Sequence, residues 1–537
     1  MKEYRIIQFL LFTALILGLH IHVSGQTQTR PNILWITCED ISPSLSMYGD
    51  STLSTPNLDW LAKEGIVYTN MYSASGVCAP SRSAIITGVY PTSIGSHHMR
   101  TSFNGCEDHP PYETVPPGEI RLFPEFLRAS GYYCTNNAKE DYQFKAPFTV
   151  WDESSEWAHW RNNKSDNPFF SVFNFITTHE SQIWKRSLDP IFEVRPEILP
   201  VAPYHPNTRV SQRDIGRYYQ NIKILDGQIG MLLEQLKEDG LLDNTFIFFF
   251  SDHGGNLPRQ KREIYDSGIK VPFIVRFPDK WKAGTKDTLL YSFVDLAPTM
   301  LSIAGIEIPS YMEGIPFLGK NAENKSHKYI YAAADRFDEI TDKYRAIKDY
   351  RFKYIRNYFP ELPGYKDLNY RKQMPMMREM LNLKENQQLD SIQLLWFQKP
   401  KPAEELYDTW KDPHEINNLA EVDKYENHLV RLRNILDKHL KKYGDMGDVS
   451  EREMVLSMWP EFVQPETKQP LVFLENGYVH IDCETKGASI GWRYTTSEIQ
   501  TWNVYTGPFK IEIPATVDVV THRIGYKPAI INELKIQ

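Results

Sequence analysis

The sequence predicts an α/β fold with a mostly parallel central sheet, followed by a smaller antiparallel subdomain and an appended small β module. Three observations carry this. Short unbroken apolar runs recur at residues 31–36, 169–176, 245–250 and 271–275, the signature of strands buried on both faces. Segments with helical periodicity separate them, as crossover helices do in a parallel sheet. Beyond about residue 325 this alternation stops and strand-like pairs dominate.

Taken in order, the run from Pro31 to Ile36 ends in Thr37-Cys38-Glu39-Asp40, polar groups at the carboxyl end of a buried strand. Open α/β sheets place their ligands at such ends. Thr55 to Ala62 reads as a capped amphipathic helix ending near Gly65. A second helix is predicted to start at Cys78: Pro80 suits the first turn, where an N–H has no intrahelical partner, and Gly88 is a natural stop. Tyr132-Tyr133-Cys134 and residues 169–176 are predicted buried strands. Ile222, Leu225, Ile229, Leu232, Leu233 and Leu236 recur at helical spacing, and Gly240 closes that helix. The run at 245–250 is a central strand terminating in Ser251-Asp252-His253-Gly254-Gly255.

From about residue 325, residues 344–347 and 350–355 are predicted strands of a smaller antiparallel sheet, and Leu429, Leu432, Leu436 and Leu440 mark a last amphipathic helix. A Pro- and Glu-bearing linker near 460–470 precedes β-like segments at 487–493 and 501–505. The expected organisation is a leader at 1–25, an α/β domain at 26–324, a subdomain at 325–459 and a β module at 467–537. The module either packs or binds carbohydrate.

A chain of 537 residues can bury one large core and a smaller one; 41% hydrophobic and 24% charged is ordinary globular composition. A net charge of −8 argues against a nucleic-acid partner and gives no global pull on an anionic substrate. Lys2 and Arg5 precede the apolar run 9–19, and Ser24 and Gly25 follow it, which reads as a secretory signal peptide. No run approaches the roughly 20 apolar residues of a membrane span, so a periplasmic or secreted protein is expected. The five cysteines, Cys38, Cys78, Cys106, Cys134 and Cys483, are an odd number for an exported protein. Chemical conversion of one would account for the remainder.

Cys78-Ala79-Pro80-Ser81-Arg82 places a cysteine at the positive end of a helix, a ready anion site, with Arg82 one turn away to hold oxygens near it. This segment resembles the C-x-P-S-R motif of the type I sulfatases, in particular the branch with N-sulfoglucosamine sulfohydrolase and bacterial polysaccharide sulfatases. The likeness extends from about residue 30 to 445 and includes a closing motif at Glu405 to Ala420. The resemblance implies an alkaline-phosphatase-like sandwich, oxidation of Cys78 to formylglycine by a maturating enzyme, and the hydrated aldehyde as nucleophile. It implies one calcium ion bound by Glu39, Asp40, Cys78, Asp252 and His253. Glu39 stands where aspartate is usual and His253 where asparagine is frequent.

By the same resemblance Lys139 and Lys261 hold the sulfate group and His179 protonates the leaving oxygen. A histidine usually stands where this chain has Asp141, which either takes over collapse of the intermediate or serves the substrate. His97, His98 and Arg100 are candidates for contacts with the sugar or a carboxylate on it. The implied activity is hydrolysis of sulfate esters of a sulfated polysaccharide or its oligosaccharides, of ulvan or glycosaminoglycan type. A phosphoester hydrolase of the same superfamily and a non-catalytic carbohydrate-binding protein are the competing readings.

Overall fold

The structure, a computed structural model, describes residues 30–102, 108–191, 198–322, 326–496 and 501–537. The expected leader and Cys106 lie outside the described residues. The first apolar run forms β1 (Asn32–Cys38), followed by α1 (Pro56–Glu64), β2 (Ile66–Tyr72), α2 (Cys78–Thr87) and α3 (Phe123–Ala129). Then come β3 (Tyr133–Asn137), β4 (Glu153–Ser154), β5 (Phe169–Phe175), α4 (Arg209–Glu238), β6 (Thr245–Ser251) and β7 (Lys270–Arg276). The short strands β8 (Thr285–Asp287) and β9 (Tyr291–Ser292) and the helix α5 (Leu296–Ile303) complete this layer.

The described strands form a sheet ordered β4-β3-β5-β1-β6-β7-β2-β8, with β9 also on β2. β1 runs parallel to both neighbours, Trp35 lying opposite Val172 on one side and Phe248 on the other. Only β7 is antiparallel to the strands beside it. Alternate side chains go to opposite faces: Leu34, Ile36, Ile247 and Phe249 enter a core with α1 and α4, while Ile33, Trp35, Phe248 and Phe250 pack with α2, α3 and α5. Burial on both faces is why these strands read as unbroken apolar runs. The cap of α1 differs from expectation. Thr55 makes no capping hydrogen bond; Asp226 of α4 accepts from the N–H groups of Asn57 and Leu58 at 3.4 and 2.9 Å, tying the two helices together.

A second sheet, β10 (Ile330–Ala334), β11 (Tyr344–Lys348), β12 (Phe352–Asn357) and β13 (Glu404–Asp408), is antiparallel throughout. The helix α6 (Pro375–Glu385) lies between its last two strands in sequence and packs on α4. One face of the sheet holds Leu429, Leu432 and Leu436 of α7 (Glu426–Tyr443); the other lies on Tyr72, Val77, Cys78 and Ala79. The helix α8 (Glu451–Met458) follows. The chain ends in β14 (Leu471–Glu475), β15 (Tyr478–Asp482), β16 (Ser489–Tyr494), β17 (Asn503–Val504), β18 (Phe509–Lys510), β19 (Ala515–His522) and β20 (Ala529–Ile536). These form three- and four-stranded sheets around Val479, Ile481, Val517 and Val519. Arg121 and Arg128 anchor this module, donating to the Gly487 and Trp502 carbonyls at 2.8 and 2.6 Å.

Candidate active site

Strands β3, β5, β1 and β6 are parallel neighbours, so the loops at their carboxyl ends converge. They deliver Lys139 after β3, His179 and Glu180 after β5, Glu39 and Asp40 after β1, and Asp252 and His253 after β6. Backbone groups lock these loops to one another. The Glu180 N–H donates to Asp40 Oδ2 at 2.7 Å, and Thr178 Oγ1 donates to the Glu39 carbonyl at 2.6 Å. The turn after β6 needs glycine: a Cβ on Gly254 would stand 2.3 Å from the Ser267 carbonyl oxygen.

Cys78 opens α2 after extended Val77, and the helix ends at Gly88 in the left-handed region, φ 72°. Its sulfur is buried, 3.4 Å from Glu39 Oε2, 3.4 Å from His253 Nε2 and 3.5 Å from Lys261 Nζ. Arg82 lies one turn on, but its guanidinium is spent on protein. Nε donates to Asp252 Oδ2 at 3.0 Å, one terminal nitrogen to Glu39 Oε1 and the other to Asn174 Oδ1, both at 2.8 Å. Arg82 is therefore a strut between two carboxylates rather than a free hand beside residue 78.

Lys139 Nζ donates to Glu39 Oε1 at 2.7 Å and sits 3.6 Å from Asp141. Lys261 Nζ bridges both Asp40 oxygens at 2.8 and 2.7 Å. His253 Nε2 lies 2.9 Å from Asp40 Oδ1. Ligand atoms of Asp40, Cys78, Asp252 and His253 all fall within 4.8 Å of one another, as do those of Glu39, Cys78 and His179. The two groups share residue 78 and make one centre. The donor set is two carboxylate oxygens from the buried Asp40 and Asp252, the Cys78 sulfur and a His253 nitrogen; it fits a hard divalent cation only where residue 78 presents oxygen in place of sulfur. Glu39, Asp40 and Asp252 face the three cations Arg82, Lys139 and Lys261, with Asp141 also 3.6 Å from Lys139 and Glu180 3.5 Å from Lys261. Glu39 gives Oε1 to Arg82 and Lys139 and turns Oε2 toward residue 78, 3.4 Å from its sulfur.

The backbone around the site is strained. Asp40, Ala138, Asp141 and Arg262 have φ of 55, 84, 57 and 73°, the left-handed region that non-glycine residues seldom adopt. Arg100 stands nearby, its Nε donating to Asp338 Oδ1 at 2.8 Å and its guanidinium 5.6 Å from the Tyr370 ring. His97 and His98 do not join the cluster. The Met99 N–H is held by the Arg336 carbonyl at 3.0 Å, which tucks both histidines against Asp335, Arg345 and Glu451.

Sequence reasoning passed over Glu180, Arg262, Asp338, Asn174 and Tyr370. Glu180 accepts two hydrogen bonds from the buried Arg262 guanidinium at 2.9 and 2.8 Å, and Arg262 Nε donates to Asp338 at 3.0 Å. The available signal was adjacency: Glu180 follows His179 and Arg262 follows Lys261.

A family model described as Sulfatase matches residues 31–306, and one described as N-sulphoglucosamine sulphohydrolase, C-terminal, matches 258–395. An ulvan-active sulfatase of Formosa agariphila is 48% identical over 93% of this chain and 90% of its own. Human N-sulphoglucosamine sulphohydrolase is 24% identical over 78% of this chain and 91% of its own. The fold, the convergent strand ends and these matches define a sulfuric ester hydrolase. The chain belongs to the sulfatase family.

Among solved structures, one in complex with its substrate D-glucosamine-2-N,6-O-disulfate aligns with TM-score 0.56 and 19% identity, covering 79% of this chain and all of its own. A phosphonate monoester hydrolase of Agrobacterium radiobacter aligns with TM-score 0.55 and 17% identity, over 78% of this chain and 97% of its own. At such identities the likeness is one of fold, and this fold hosts more than one chemistry.

Proposed function

We propose that residue 78 works as a formylglycine, made from Cys78 by a maturating enzyme, beside one calcium ion. The substrate is a sulfated polysaccharide or its oligosaccharides. One observation carries the reading: a buried cysteine at a helix start, within 3.5 Å of Glu39, His253 and Lys261. The thiol is a poor nucleophile here. Burial pushes its pKa well up, Lys139 and Lys261 offset only part of that, and Glu39 and Asp252 add to the rise. A hydrated aldehyde at this position supplies an attacking hydroxyl instead, and the cation supplies Lewis acidity toward oxygen.

Asp40, Asp252 and His253 hold the cation with residue 78, and Arg82 fixes Glu39 and Asp252 around it. Lys139 and Lys261 present fixed positive charge to the sulfuryl oxygens, whose negative charge grows as the S–O bond loosens. His179 is the proton donor to the ester oxygen. Burial and the Lys261 charge hold its pKa below the usual value. An entering sulfate ester brings the negative charge that favours imidazolium, which then protonates the departing alcohol, a contribution of about 100- to 10,000-fold. Asp141, beside Lys139 at the rim, contacts the sugar or assists departure of sulfate.

The relative at 48% identity is named for activity on ulvan, which supports an ulvan-type polysaccharide ahead of glycosaminoglycans. Lys2 and Arg5 ahead of the apolar run support export to the periplasm or beyond. Mass spectrometry of the peptide containing residue 78, with rates on p-nitrophenyl sulfate and p-nitrophenyl phosphate, tests the reading. An aldehyde and preference for sulfate are expected. An intact thiol in active protein, or a wide preference for phosphate, overturns it.

A further inference from the structure

We propose that Arg100 and Tyr370 form a second anion subsite at the pocket rim. It reads a carboxylate or a further sulfate on the sugar bearing the scissile ester or on the next ring. The inference rests on the sulfatase reading and deepens it from one anionic group to two.

Arg100 turns outward with φ 59°, a strained conformation for arginine held by its surroundings. Its side chain is 42% exposed, whereas Asp338, Arg262 and Glu180 behind it are buried. Nε donates to Asp338 Oδ1 at 2.8 Å, and Asp338 Oδ2 accepts from Arg262 Nε at 3.0 Å. Arg262 is gripped twice by Glu180, whose N–H donates to Asp40. A relay of hydrogen bonds, part-buried at Arg100 and buried from Asp338 inward, thus mounts Arg100 on the same frame as the centre around residue 78. Its guanidinium lies 5.6 Å from the Tyr370 ring, which in turn meets Trp184 edge-on at 5.2 Å and His179 at 6.4 Å.

With Nε committed, the two terminal nitrogens of Arg100 have no hydrogen-bond partner among the described residues. A planar pair of donors on a rigid mount fits an oxyanion, and the ordering cost of the side chain is already met by Asp338 and Tyr370. The half-exposed Tyr370 ring beside it offers a face for the sugar. An ordinary surface ion pair would lack this buried relay and this unfilled donor edge.

The test uses the whole protein and four probes: p-nitrophenyl sulfate, a monosulfated disaccharide containing a uronate, the same disaccharide with its carboxyl reduced to an alcohol, and a disulfated neutral disaccharide. Arg100→Gln is expected to raise KM for a doubly anionic probe roughly 10- to 100-fold with kcat nearly constant, lowering its specificity over p-nitrophenyl sulfate by the same factor. Arg100→Lys should recover part of the loss. A loss confined to the uronate probe identifies a carboxylate, and one confined to the disulfated probe a second sulfate. Equal effects on all four overturn the proposal.

Independently of any variant, the uronate disaccharide should inhibit p-nitrophenyl sulfate hydrolysis by wild-type protein at least about tenfold more tightly than its carboxyl-reduced form, or the disulfated disaccharide should do so by that margin. Matching inhibition constants throughout overturn it as well. Wild-type protein that hydrolyses none of the esters removes the sulfatase reading instead, and calorimetric binding of the same probes to wild type and Arg100→Gln still judges the subsite.

Discussion

Replacing Glu180 with glutamine perturbs the frame rather than the reacting groups. Burial opposes ionisation of Glu180, but Arg262 and Lys261 outweigh it and bring its pKa from the ordinary 4.5 down to about 2. That difference corresponds to roughly 3 kcal/mol at pH 7, close to the ~3–5 kcal/mol for breaking a buried ion pair from one side. The native carboxylate binds fewer protons than the unfolded one between these values. Its stabilisation is therefore complete above the unfolded 4.5 and is lost as pH falls through about 2. At pH 3 roughly half of it remains. With an unfolding entropy of roughly 2 cal/mol/K per residue, a chain of this length should lose about 3 °C of Tm at pH 7. Calorimetry at pH 7 and pH 3 checks this, alongside rates on p-nitrophenyl sulfate. Lys261 lies 3.5 Å from Glu180, so kcat/KM should fall about tenfold as Lys261 and Asp40 lose their fixed spacing. An unchanged Tm with unchanged kcat/KM, or a gap that widens on acidification, refutes the reasoning.

Cys78→Ala should abolish turnover with Tm within about 2 °C of wild type, because alanine tolerates a helix start and adds no volume; wild-type-like rates would remove residue 78 as nucleophile. His179→Ala should cost about 100- to 10,000-fold on alkyl sulfates and much less on p-nitrophenyl sulfate, whose leaving group needs no proton. Equal losses on both classes exclude the proton-donor role. Asp214, buried where it accepts from the Met376 N–H at 2.7 Å and caps α6, has its pKa lifted by burial from 3.8 to about 7. The folded state then holds the extra proton, so the protein loses up to about 4 kcal/mol of stability as pH rises through that window. Asp214→Asn keeps the acceptor and should flatten this slope, gaining on wild type at pH 8 and matching it at pH 4. An asparagine variant no more stable than wild type at pH 8 refutes the shifted carboxyl.

The cysteine motif and the paired acids ending two strands were legible because each lies within a short segment whose local chemistry is its own signal, whereas Lys139 and Lys261 stood out only through the family resemblance. The unbroken apolar runs announced a sheet covered on both faces, and the loss of that alternation announced the second sheet. Helix caps and rim residues were harder. The expected Thr55 cap is replaced by Asp226 from another helix, and the loop of His97 and His98 is held through Met99 to the Arg336 carbonyl, a contact from a distant segment.

Local pattern therefore determined which polar and charged residues stand at which strand ends and helix start, since strand burial and helix starts are encoded over a few residues. Only the tertiary structure decided how those ends combine. Parallel pairing of β3, β5, β1 and β6 gathers four loops from across some 200 positions into one centre. It spends Arg82 on Glu39, Asp252 and Asn174, and builds the Glu180–Arg262–Asp338 relay that aims Arg100 at the rim. Ion pairs between such distant segments depend on loop trajectories, and no periodicity or motif in a single chain specifies those.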